Sequence, residues 1–231
     1  MKKPSKFFSV LTSVALVLFL VAGSVAVPIL CRGFYYSQIQ ALDLPGQTGY
    51  SQEVIRDAFD EVMDYLVGDG SFGTGELRWS ESGRTHFADC RVLFQLDFRI
   101  LEVSAALLAA VAVLTLAGKI RLHRFAGRGP CFWAFIGMGT VVLLLGIWAV
   151  IDFASLFTAF HTLFFPGKTN WVFDYRLDEI ILILPEAFWA RAAALVAGLA
   201  FGGGALLTVL EAILHRVHRP KTVYEELKEL R

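Results

Sequence analysis

His86 and His161 are the residues of this chain best suited to moving protons. His86 stands in THFADC, residues 85–90, with Asp89 three positions on, and His161 stands in ASLFTAFHTLFFPG, residues 154–167. Imidazole is the one side chain that takes and gives a proton near neutral pH without help. A lone histidine among apolar neighbours is ordinarily a hydrogen-bonded structural residue, and two at the same depth raise the case for catalysis or metal binding against that default. On a helix His86 and Asp89 share a face, so Asp89 is expected to orient the His86 ring through one of its nitrogens, with Thr85 as the helix N-cap. The other three histidines, His123, His215 and His218, lie among arginines and read as charged anchors.

The elements that carry these residues follow from composition. Hydrophobic residues make up 56% of the 231 and charged ones 18%, which excludes an ordinary soluble domain. Crossing the hydrocarbon takes roughly 20 apolar residues as a helix. Four stretches qualify, at about 7–30, 100–118, 132–151 and 190–214. The basic residues Lys2, Lys3, Lys6, Lys119, Arg121, Arg124, Arg128, Arg216, Arg219 and Lys221 cluster in 1–6, 119–131 and 215–231, which are therefore expected inside the cell. Segments 31–99 and 152–189 then face outward, and they hold 8 Lys/Arg against 16 Asp/Glu. The expected architecture is an all-α integral membrane protein of one domain, residues 1–231. Four transmembrane helices carry two helical outer segments that form a small cap, and both termini lie in the cytoplasm.

Within the cap, SQEVIRDAFDEVMDYLVG places Val54, Ile55, Phe59, Val62, Met63 and Leu66 on one helical face. Residues 76–81 are short enough to be strand or loop. Asp152 to Phe165 is expected to prolong the third span until Pro166-Gly167 stops it. Trp171, Phe173 and Tyr175 suit the headgroup interface, and LDEIILILPEAF, too short to cross, is expected to dip into the outer leaflet with Pro185 at its end. PKTVYEELKELR reads as a surface helix.

Other features carry less chemistry. Ser24-Val25-Ala26 resembles a signal-peptide processing site, but the apolar run continues to Leu30 and is long enough to span. Leucine before Cys31 argues against lipidation there. Cys31 and Cys90 either pair or stay as buried thiols, the second being the default. No CxxC or Cys/His metal spacing, P-loop or dinucleotide fingerprint is present. Gly198, Gly202 to Gly204 and Ala105, Ala106, Ala109 and Ala110 are expected to let helices approach closely. Glu102 and Arg191 are expected to snorkel or to pair with each other.

The outer H-x-x-D at the head of the second span, with the pattern FH...FF...W.F...LDEI..LPE.F in the second outer segment, resembles the bacterial lipoprotein intramolecular transacylases. The resemblance covers most of residues 85–189 and the surrounding topology. It implies transfer of the sn-2 acyl chain of a diacylglyceryl lipoprotein to the α-amino group of its N-terminal cysteine, giving the lyso form. It also implies that His86 and His161 are catalytic with Asp89 as acidic partner, while Trp171, Asp178 and Pro185 match the second motif. The partners are then a diacylated lipoprotein and membrane phospholipid, without nucleic acid, in a bacterial cell membrane with the site at its outer face.

The chemistry is consistent with these residues. An α-amino group of pKa near 8 needs a base of about 6.5, and imidazole supplies one. Exchange of an ester for an amide runs downhill, so no cofactor or metal is expected. Developing negative charge needs donors, and Asn170, Arg84, the second histidine or a backbone N–H near Gly167 are the choices. Which histidine is base and which stabilises oxygen stays open at this level.

Three other readings compete. A non-catalytic scaffold or receptor would bind a partner through aromatic anchors on the outer segments. A transporter would carry ionisable residues midway through the spans, where this chain has none. A covalent acyl-enzyme through Thr85, Ser155 or Thr158 lacks a nucleophile-elbow pattern. A metal site from His86, Asp89, His161 and Asp152 is a subordinate idea, expected to be empty.

Overall fold

A computed structural model describes residues 3–217, so the stretch expected as a C-terminal surface helix, with His218, lies outside the described residues. Among these there are nine α-helices and no strand beyond two isolated bridges. Four helices are long and apolar enough to cross a membrane: α1 (Lys6–Leu30), α5 (Glu81–Leu116), α6 (Pro130–Ile151) and α9 (Glu186–Val217). Helix α1 is central, packing on α5, α6 and α9, while α6 also packs on α9.

The seams use small residues, though not all the expected ones. At Gly204 a Cβ would meet side-chain carbons of Met138 and Phe135 at 2.9 Å, and at Gly203 one of Leu20 at 3.0 Å, so α9 approaches α1 and α6 closely there. Gly198 and Gly202 face open space. Along the apolar part of α5 the buried positions are Ser104 and Val111, while Ala106, Ala109 and Ala110 are exposed. Leu116, Val150 and Ile151 also point outward, as lipid-facing side chains do. Glu102 and Arg191 do not pair: Arg191 Nη1 donates to Gln38 Oε1 at 2.7 Å, and Glu102 lies 3.7 Å from Arg99.

The remaining helices form a cap with its own core at one end of the bundle: α2 (Arg32–Ala41), α3 (Leu44–Thr48), α4 (Gln52–Val67), α7 (Phe153–Phe164) and α8 (Ile180–Ile183). Helix α4 follows its pattern: Ser51 caps it, accepting from Val54 N at 3.2 Å, and Ile55, Ala58, Phe59, Val62, Met63 and Leu66 are buried. Tyr35, fully buried, stacks on Phe59 at 3.7 Å between centroids and donates to the Ile183 carbonyl at 2.8 Å, joining α2, α4 and α8.

Three expectations are corrected here. The isoleucine run packs on protein: Ile180 and Ile183 are among the most buried residues of the cap core, which explains their apolarity without a leaflet. The third span does not continue through Asp152. There the backbone turns extended (φ −157°, ψ 89°), and the Asp152 carboxylate accepts from Ser155 N at 2.9 Å to start α7 as a separate helix. Helix α5 starts four residues before Thr85. Ser80 is its cap, accepting from Gly83 N at 3.0 Å, and the Thr85 hydroxyl donates to the Glu81 carbonyl at 2.8 Å.

Ser80 also donates to Asp178 at 2.8 Å, so it ties the start of the helix carrying His86 to the loop before α8. Ser80→Ala should destabilise the cap by about 1–2 kcal/mol, the usual cost of a lost N-cap, seen as a lower Tm of the detergent-solubilised protein. At the opposite end of the bundle the basic 117–129 connection docks on the start of α1, through Ser5 N to Arg121 O at 2.8 Å and His123 N to Ser9 Oγ at 2.6 Å.

Candidate active site

The second turn of α5 brings in His86, and the last turn of α7 brings in His161. Their ring centroids are 5.9 Å apart, and the two residues are only 5% and 8% exposed. Aromatic side chains enclose them. Phe165 lies 4.9 Å from His86 and 5.7 Å from His161, Phe173 lies 5.4 Å from His86, and Phe157 and Trp171 lie 4.1 Å and 4.8 Å from His161.

The ring nitrogens are differently engaged. His161 Nδ1 is 2.7 Å from the Phe157 carbonyl, which only accepts, so Nδ1 carries the proton and the neutral ring keeps its lone pair on Nε2. His86 Nε2 is 3.4 Å from Cys90 Sγ, while its Nδ1 is buried without a partner. Burial pushes the Cys90 thiol up to about 12, so it retains its proton and can donate to Nε2. With Nε2 accepting, Nδ1 carries the ring proton and is left free to donate.

Burial and then the neighbouring His161 push the His86 pKa down to about 4, against a smaller upward pull from Asp89. Burial also lowers His161, opposed by the Phe157 carbonyl. Both rings are therefore neutral at physiological pH.

Asp89 does not hold His86 by a ring nitrogen. Its carboxylate pairs with the Lys168 ammonium and accepts from Asn170 Nδ2 at 3.1 Å. Although burial alone would raise it, Lys168 and Asn170 hold the Asp89 carboxyl below its ordinary range. Asn170 Oδ1 is buried and unpartnered.

Of the other candidates, Trp171 lies against His161, whereas Arg84 pairs with Glu81 on its own helix. Asp178 is buried and accepts from both Ser80 N and Ser80 Oγ at 2.8 Å, which makes it a strut under α5. A Cβ at Gly83 would sit 2.1 Å from Asp178 Oδ1, so glycine is needed for that approach. The three cysteines are free, with Cys31 exposed rather than buried. Asp152 is occupied as a helix cap, and among the described residues no three of His, Cys, Asp and Glu converge to hold a metal. Lys168, Phe157 and Phe165 were not singled out from sequence, and Cys90 only as a thiol that pairs with Cys31 or stays buried. Lys168 alone had a visible signal, as the single lysine of the second outer segment.

The family model described as lipoprotein intramolecular transacylase Lit matches residues 10–189. A solved structure of the membrane integral lipoprotein intramolecular transacylase Lit from Bacillus cereus is similar at a TM-score of 0.77 and 23% identity, over 91% of this chain and 95% of that one. Two further structures of that protein, with a histidine replaced by arginine or alanine, give TM-scores of 0.75 and 0.76 at 23% identity, over 91% of this chain and 91% and 93% of theirs. At that identity the likeness is one of fold. No curated protein sequence matches.

Proposed function

Starting from the fact that the chain belongs to the lipoprotein intramolecular transacylase family, we propose that it moves the sn-2 acyl chain of a diacylglyceryl lipoprotein onto the α-amino group of the N-terminal cysteine. It is a membrane-integral acyltransferase, and its product is a lyso-form lipoprotein. The observation that carries the mechanism is the buried histidine pair with one free ring nitrogen on each member.

His161 is the base. As the amine nitrogen attacks the ester carbonyl, His161 Nε2 takes the amine proton, and His86 Nδ1–H donates to the oxygen that becomes negative. Collapse of the tetrahedral intermediate breaks the bond to the sn-2 oxygen, which leaves with the proton returned by His161. An amide forms, an ester is lost, and no proton or electron is left over. Nucleophile and ester belong to one substrate molecule, so holding them in attack geometry supplies roughly 7–11 kcal/mol of the acceleration. The aromatic box excludes water, which would otherwise hydrolyse the ester.

The cap end faces the cell exterior and the termini lie in the cytoplasm. The support is that Lys6, Arg121, Arg124, Arg128 and Arg216 all belong to the end opposite the cap. A membrane-impermeant thiol reagent applied to whole cells should label the exposed Cys31 and spare Cys131, and the reverse would invert the orientation.

The function is tested by mass spectrometry of a model lipoprotein's N-terminal peptide from cells with and without this protein. N-acylated, mono-O-acylated cysteine is expected only in its presence. Unchanged diacylglyceryl-cysteine in both, with the protein verified in the membrane, would return the scaffold reading.

A further inference from the structure

We propose that Asp89 is the binding site for the substrate's α-ammonium group, and that Lys168 holds this site until a substrate displaces it. The inference rests on the transacylase reading and names how that site recognises its nucleophile.

The geometry of Asp89 is wrong for a histidine-orienting residue. Nε2 of His86 is turned to Cys90, its Nδ1 has no partner, and the carboxylate instead receives a primary ammonium and an amide N–H. A lysine ammonium on a flexible stem is chemically the same ligand as the α-ammonium of an N-terminal cysteine. Both are point charges with three rotatable donors. Such an amine, with a pKa near 8, is mostly charged at neutral pH and needs an anion where it docks; before attack it sheds one proton to solvent, giving the neutral amine that His161 then deprotonates as the nitrogen attacks. Asp89 is one helical turn from His86 on the same face of α5, so an ammonium bound there arrives beside the histidine pair.

The pair with Lys168 is built to exchange. The Lys168 side chain is 46% exposed and that of Asp89 20%, and ion pairs this open contribute little. The Lys168 backbone also helps hold the cover over the histidines, through bonds that do not involve its ammonium. Trp171 Nε1 donates to the Lys168 carbonyl at 3.0 Å, and Lys168 N donates to the Phe165 carbonyl at 3.1 Å. Trp171 and Phe165 are two of the rings that enclose the site.

A simple clamp between loop and helix would make Asp89 and Lys168 equivalent, because removing either breaks the same bond. Under the proposal their effects are opposite in sign. The test uses the full-length protein in nanodiscs and two unreactive diether lipopeptides, one with a free α-amine and one with hydrogen in its place. The unaltered protein should bind the amine form more tightly. Lys168→Met should tighten the amine form about two- to fivefold, the weight of an exposed ion pair, and leave the deamino form unchanged. Asp89→Asn should bind both forms alike. A retained amine preference in Asp89→Asn, or a shift of both variants in the same direction, would overturn the proposal. Turnover of the corresponding diester by the unaltered protein is measured alongside. Its absence would sink the transacylase reading, while the diether ratio would still decide the ammonium site.

Discussion

Replacement of His161 by alanine is expected to lower single-turnover formation of the N-acyl product by about 10²- to 10⁴-fold, the range a positioned general base supplies. The nitrogen that matters is Nε2, because Nδ1 is committed to the Phe157 carbonyl at 2.7 Å. His161→Gln should be no better than alanine, since an amide nitrogen cannot take the proton. Small added imidazole should recover part of the rate in His161→Ala, because the space between Phe157 and Trp171 is shaped for that ring. His86→Ala removes an oxygen-stabilising donor rather than a base. Its loss should be about 10²- to 10³-fold and should not respond to imidazole as a proton acceptor. The measurement is the mass-spectrometric ratio of N-acyl to diacylglyceryl peptide against time, at equal membrane content of each variant. Near-normal rates in His161→Ala would dismiss it as the base, and imidazole rescue confined to His86→Ala would exchange the two roles.

The four spans were legible in the sequence because a run of about 20 apolar residues has only one way to satisfy its backbone in hydrocarbon. The histidine pair was legible too, because two imidazoles in apolar outer segments stand out from three among arginines. What escaped depended on partners remote in sequence. Asp89 looked like a partner for His86 three residues away, but its ligands, Lys168 and Asn170, lie 79 and 81 residues on, brought back by a turn in which Gly167 takes φ +74°. The break at Asp152 was hidden because an aspartate can continue an apolar helix or cap a new one, and the apolar residues on its two sides do not say which. What the isoleucine run packs against was not legible, because a segment filling a protein core and one entering a leaflet have the same composition. Ile183 is decided only by Tyr35, whose hydroxyl reaches its carbonyl from α2.

Acidification should destabilise the cap, and His86 should be the main cause. In an unfolded chain this imidazole titrates near 6.5, whereas burial beside His161 brings it to about 4 in the folded protein. Between those values the unfolded chain binds more protons, so the stability contributed by the neutral ring is complete above pH 6.5 and is lost as pH falls towards about 4. The full loss is about 3 kcal/mol, and His161, lowered by burial in the same direction, adds to it. His86→Leu cannot titrate. The Tm of the unaltered protein in detergent should therefore fall more steeply than that of His86→Leu between pH 7 and 4, whatever their order at pH 7. Parallel curves would mean that His86 is not held neutral by burial, and would remove the reason for treating its Nδ1 as a proton donor to oxygen rather than as part of a charged pair. Diverging curves would tie the same desolvation that costs acid stability to the neutral, water-free environment in which an amine can attack an ester.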